Sequence, residues 1–221
     1  MNLSPAPRQS DSERLAGKIM ADIQARTLAP GMWLKQIDIE QRYSCTRNVA
    51  RAALNRLASQ RYIEHEPNRG FRVPAFEGPR RIHFLRMRAI LESTLAPEMV
   101  ANVTPEAIRE LREHADNFSR QMETSGFLNL MELNRRFHFR MFELVENSEQ
   151  LQLVRDARSA FRGYPGTTWD SPAMMRQSAI EHHLMVDALE ARDSRQLMKL
   201  IVDHIGKGEL GRLSIVFFED N

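Results

Sequence analysis

A single cysteine, Cys45, in 221 residues excludes an intramolecular disulfide framework and suits a reducing compartment. No apolar run approaches the roughly 20 residues that span a bilayer. The first thirty residues carry Arg8, Asp11, Glu13, Arg14 and Lys18 and no apolar core stretch, so no signal peptide is expected. The chain therefore reads as cytoplasmic, with no membrane partner. Internal repeats and low-complexity tracts are also missing. No charge sign dominates, since the net charge is +2.

What remains is ordinary globular composition, 42% hydrophobic and 27% charged, in a length that suits one large domain or two small ones. The charge is uneven. Residues 1–79 hold 12 basic against 8 acidic side chains, and residues 80–221 hold 19 against 21. A basic front and a mildly acidic back suit a nucleic-acid module joined to a module of another kind.

Periodicity gives the organisation. Residues 1–10 are polar and proline-bearing, and read as a disordered arm. Leu15, Ile19, Met20 and Ile23 recur at helical spacing behind Asp11 or Ser12 as cap, and Ala29-Pro30-Gly31 stops that helix. A short helix over 36–43 follows, then a break at Ser44-Cys45. A third helix starts at the N-cap Thr46 and runs to about residue 60. Its stripe is Ala50, Ala53, Leu54 and Leu57, which leaves Arg47, Asn48 and Arg51 facing outward. Alternating residues 62–66 and 71–73 flank Pro67-Asn68-Arg69-Gly70 and read as a β-hairpin. Helix, turn, helix and hairpin in that order make a winged helix-turn-helix.

From residue 80 the pattern is helical, with helices expected near 80–102, 105–124, 127–147, 149–163, 173–191 and 194–217. Short connections make them an antiparallel six-helix bundle. The fold class is mainly α. The expected domains are 1–74, the winged helix-turn-helix with its N-terminal arm, a linker over 75–79, and 80–221, the helical bundle.

DNA binding needs cations for phosphates and a helix slim enough for the major groove. Thr46, Arg47, Asn48 and Arg51 lie where a recognition helix meets bases, and Arg69 beside Gly70 lies where a wing reaches a backbone. Residues 19–74 resemble the winged-helix domain of the GntR family of bacterial regulators. The resemblance rests on Ala29-Pro30-Gly31, Thr46-Arg47 with Arg51 and Ala53-Leu54, and Asn68-Arg69-Gly70. It implies a double-stranded DNA operator, with Arg47 and Arg51 as the leading contacts.

In the bundle, Asn134 and His138 are one turn apart on an inward stripe with Met131, Met141 and Phe142. His182 shares a stripe with Met185, Val186 and Leu189, and His204 one with Leu197, Leu200 and Ile201. His183 falls on the water side. Three imidazoles and an amide oxygen form a first shell for a divalent transition metal if the helices bring them together. No acidic residue stands out on those stripes as a base, which weighs against a three-His hydrolase or lyase. Arg88 sits on the stripe Leu85, Leu91, Leu95. Its charge is met either by Glu92 or by a ligand carboxylate.

The stretch 88–208 resembles the FCD ligand-binding domain of the FadR subfamily of GntR regulators. It does so through Arg88-Ala-Ile-Leu-Glu92, Asn134-Arg-Arg-Phe-His138 with Asn147, Glu181-His182, Asp193 and His204-Ile205. Six helices suggest the VanR-like branch. The resemblance implies a homodimer and a metal, zinc or nickel, held by His138, His182 and His204, with Asn134 where the family has an acidic ligand. It also implies a small carboxylate effector on Arg88. A regulator with a metal-free, degenerate pocket is the remaining alternative.

Overall fold

The first helix, α1 (Asp11–Gln24), is opened by Ser10 and not by Asp11 or Ser12. The Ser10 hydroxyl accepts the Glu13 N–H at 3.3 Å and the Glu13 carboxylate accepts the Ser10 N–H at 2.9 Å, a reciprocal capping box. The computed structural model describes residues 10–75, 79–160, 169 and 171–206. Residues 1–9 of the arm expected over 1–10, and residues 76–78 of the expected linker, therefore lie outside the described residues, while Ser10 belongs to the cap of α1.

Leu15, Ala16, Ile19, Met20 and Ile23 are buried along α1. Gly31, at φ +81°, makes the turn into a two-residue strand, β1 (Trp33–Leu34). Next come α2 (Gln36–Tyr43), Ser44 in the left-handed conformation, and α3 (Arg47–Ser59). The hairpin is β2 (Glu64–Glu66) and β3 (Gly70–Arg72). Its turn puts Asn68 at φ +65° and Gly70 at φ +101°, a backbone that suits Asn and Gly. The strand order is β1-β3-β2, antiparallel throughout, with Trp33 opposite Arg72 and Glu66 opposite Gly70. Strand β1 is an addition to the expected hairpin, and Tyr62 and Ile63 are buried ahead of the ladder and not within it. α1 and α3 pack together, and the Tyr43 hydroxyl donates to Asp22 at 2.7 Å, tying the end of α2 to α1.

The chain divides into two compact units after Ala75. The second contains α4 (Pro79–Ser93), α5 (Ala96–Asn102), α6 (Pro105–Gln121), α7 (Phe127–Phe142), α8 (Ser148–Ala160), α9 (Pro172–Glu190) and α10 (Ser194–Gly206). The span expected as one helix over 80–102 is broken between α4 and α5. The hydroxyls of Ser93 and Thr94 turn back onto the carbonyls of Ile90 (3.2 Å) and Leu91 (2.9 Å), and Pro97 has no N–H to continue the ladder. The expected helix ends beyond 160 and 206 fall outside the described residues.

α10 packs on α4, α5 and α9, while α6 packs on α7 and α9, and α4 on α8. Their core includes Leu85, Met99, Leu111, Phe137, Met185 and Leu197. Each such fully buried side chain contributes about 2 kcal/mol of apolar transfer. Thr104 and Ser171 cap α6 and α9, each accepting a backbone N–H at 3.2 Å. Among the described residues no helix is long and apolar enough to cross a membrane.

Candidate nucleic-acid interface and metal centre

Helix α3 is held by its inward stripe, Ala50, Ala53, Leu54 and Leu57, and started by the Thr46 hydroxyl, which accepts the Val49 N–H at 3.4 Å. That stripe turns Arg47, Asn48 and Arg51 to solvent, where all three are exposed. Arg47 and Arg51 have no acidic partner among the described residues, whereas Arg56 further along α3 pairs with Glu13 at 3.1 Å. An unpaired cation can meet a phosphate or a guanine edge without first breaking an ion pair.

The wing is different. Arg69 is exposed but engaged, 3.1 Å from Glu66 and with its guanidinium 4.7 Å from the centre of the Trp33 ring. Arg72 bridges Glu64 (2.7 Å) and Glu66 (3.2 Å), and lies 5.6 Å from the same ring. Trp33 thus forms a platform under the wing arginines that periodicity could not reveal. Cys45 is half-buried, with its thiol 3.8 Å from the Ile39 carbonyl, and burial pushes its pKa up. That is the opposite of a reactive thiolate.

The three bundle histidines meet. His138 on α7, His182 on α9 and His204 on α10 are buried, with ligand nitrogens all within 4.8 Å of one another. The Nε2 atoms of His138 and His204 are 3.1 Å apart, close to the roughly 3.3 Å edge of a tetrahedral zinc–nitrogen site. Phe137 stacks on His182 at 4.2 Å between ring centres, Phe118 meets its edge at 5.1 Å, and Phe142 lies 6.2 Å from His138. This apolar wall disfavours imidazolium. Burial first, then the charges of Arg158, the other histidines and Arg88, hold His138 well below the usual histidine pKa. Neutral imidazole is the metal-binding form.

Asn134, one turn before His138, is buried with its Oδ1 lacking a hydrogen-bond partner among the described residues. A buried amide oxygen without a donor is costly unless something else fills its lone pairs. Three clustered imidazoles, with an open carbonyl oxygen one turn before His138 on α7, are a donor set that fits a divalent metal ion. His183 is half-exposed, 3.3 Å from the Ser119 hydroxyl and 3.8 Å from Asp116.

The expectation that no acidic group lines the histidine stripes does not hold. Glu181 on α9 is buried, with Oε2 2.6 Å from His204 Nδ1. Of the two partners left open for Arg88, the structure has Glu92. The Arg88 Nε donates to Glu92 Oε1 at 2.6 Å, and Arg158 Nη1 on α8 donates to Glu92 Oε2 at 2.5 Å. With one carboxylate between two nearly buried guanidiniums, the triad itself carries one positive charge in excess. Burial lowers the Arg158 pKa to about 10. Arg158 was missed because its partner lies on a helix distant in sequence.

Residues 11–73 match the bacterial regulatory protein gntR family, and residues 83–207 match the FCD domain. The chain belongs to the GntR family of bacterial regulators, in the branch that carries an FCD domain. It is similar to the Nta operon transcriptional regulator of Aminobacter aminovorans, 26% identical over 80% of this chain and 83% of that one. It is also similar to the HTH-type transcriptional regulator McbR of Escherichia coli K12, 28% identical over 75% of this chain and 76% of that one. A solved structure of E. coli McbR/YncC shares the fold, with a TM-score of 0.59 at 19% identity over 96% of this chain and 99% of that one. This regulator is thus a DNA-binding transcription factor with an effector-binding bundle, and its relatives are not enzymes. The three-His hydrolase or lyase is set aside.

Proposed function

We propose that this regulator reads its operator through the N-terminal turn of α3 and that a small carboxylate in the bundle tunes that contact. Arg47 and Arg51 are the main operator contacts, with Thr46, Asn48, Arg69 and Gly70 around them. The observation that carries the reading is one face of α3 presenting two exposed arginines without acidic partners. The regulator acts in the cytoplasm as a homodimer, which sets two recognition helices at half-sites about 34 Å apart.

His138, His182 and His204, with the Asn134 carbonyl, would hold zinc or nickel. When bound, such a metal supplies a Lewis-acid cation that takes a carboxylate oxygen. The excess positive charge around Arg88, Glu92 and Arg158 supports the same ligand class. The effector shifts operator affinity by the difference between its binding free energies to the two arrangements of the dimer.

The test is elemental analysis of purified protein with and without chelator, followed by a thermal-shift screen of small carboxylates with added zinc or nickel. A bound carboxylate at 100 times its Kd stabilises by about 2.7 kcal/mol. The expected hit disappears in His182→Ala. A hit of equal size in that variant separates effector from histidines and overturns the shared site. Protein that takes up no metal but still binds a carboxylate points to the metal-free pocket.

A further inference from the structure

We infer that Glu181 is a positioning residue of the histidine centre, supplying through His204 the negative charge that Asn134 does not. The inference rests on the metal-centre reading above. Its basis is a chain of contacts across two helices. Glu181 Oε2 lies 2.6 Å from His204 Nδ1, and Glu181 Oε1 accepts the Gln177 amide at 3.1 Å from one turn earlier on α9. Both Glu181 and His204 are buried.

A carboxylate at Nδ1 selects one form of the His204 ring. The proton sits on Nδ1 and is donated to Glu181, so Nε2 keeps its lone pair. That Nε2 is the atom 3.1 Å from His138 Nε2, on the side where the ligand nitrogens converge. The carboxylate also makes Nε2 a better electron donor and fixes the ring plane.

The charge balance gives this contact its weight. Three neutral imidazoles and a neutral amide carry no charge to offset a dication inside a wall of Phe118, Phe137 and Phe142 rings. An uncompensated charge in such surroundings is costly. Glu181 is adjacent to His182 in sequence, so the same turn of α9 supplies both a ligand and the counter-charge for another.

The experiment measures zinc affinity by chelator competition in the full-length protein, as wild type, Glu181→Gln, Asn134→Asp and the double variant. Glu181→Gln keeps the shape and removes the charge, and should weaken zinc binding 10- to 100-fold. Asn134→Asp in that background should restore most of the loss. A purely structural Glu181 would change the melting temperature of the metal-free protein and leave zinc affinity unmoved, which overturns the inference. Wild type that binds no zinc overturns the metal-centre reading itself, and that arm is scored separately. Nitrogen-15 NMR of zinc-loaded wild type tests the same point without a substitution. A proton on Nδ1 of His204 supports the inference, and one on Nε2 overturns it.

Discussion

The two units treat arginine in opposite ways. On α3, Arg47 and Arg51 are exposed and have no acidic partner among the described residues. In the bundle, Arg88 and Arg158 are nearly buried and share the two oxygens of Glu92. An exposed cation costs the fold little and stays available to a polyanion. A buried one contributes only while its partner is present. The difference predicts that the same kind of substitution damages binding in one unit and stability in the other.

The sharpest way to break the comparison is Glu92→Ala. It strands two buried guanidiniums and should cost about 3–5 kcal/mol, read as a melting temperature lower by roughly 10 °C. Loss of less than about 1 kcal/mol would mean the triad is solvated. The same group gives a pH signature. Burial opposes ionisation of Glu92, but the charges of Arg158 and Arg88 outweigh it and hold the carboxyl below its ordinary value of 4.5. Its contribution is therefore complete above pH 4.5 and lost as pH falls through the lower folded-state value. Melting curves of wild type and Glu92→Gln should converge in that acid range. Convergence only above pH 4.5 contradicts the assignment.

Next in size, Arg47→Ala or Arg51→Ala should weaken operator binding by about 1–3 kcal/mol each, with the melting temperature unchanged. If the arginine removed grips a phosphate, the salt dependence of binding should flatten by about one unit. Gel shifts at several salt concentrations that find wild-type affinity in both variants would refute the role of α3. The smallest effect is expected for Arg69→Ala, below about 1 kcal/mol, because Arg69 already holds Glu66 and Trp33 and must release them to reach DNA. A loss equal to that of Arg47→Ala would show the wing to be an equal reader.

Much of the fold was legible because helices with one buried face repeat visibly. The stripe on α3 and the inward positions of His138, His182 and His204 follow from 3.6-residue spacing alone. That these three histidines converge does not follow from any one helix, since convergence depends on packing between α7, α9 and α10. β1 was illegible for a different reason. Two residues carry no period, and Trp33-Leu34 becomes a strand only by pairing with β3. Glu181 did leave a signal, three residues after buried Ser178 and four before buried Met185. An acid on an apolar stripe is the pattern that marks it. Arg158 likewise follows Val154 on the inner side of α8, but nothing local points to Glu92.

The chain's two tryptophans fall one in each unit. Trp33 lies under the wing arginines, and Trp169 is buried with its indole N–H donated to the Ser178 hydroxyl at 2.7 Å and its ring 5.4 Å from Phe118. Phe118 in turn touches His182. Nature has thus fitted the molecule with two built-in lamps. Replacing either with Phe leaves an optical reporter that watches either the wing or the histidine pocket, with no dye attached.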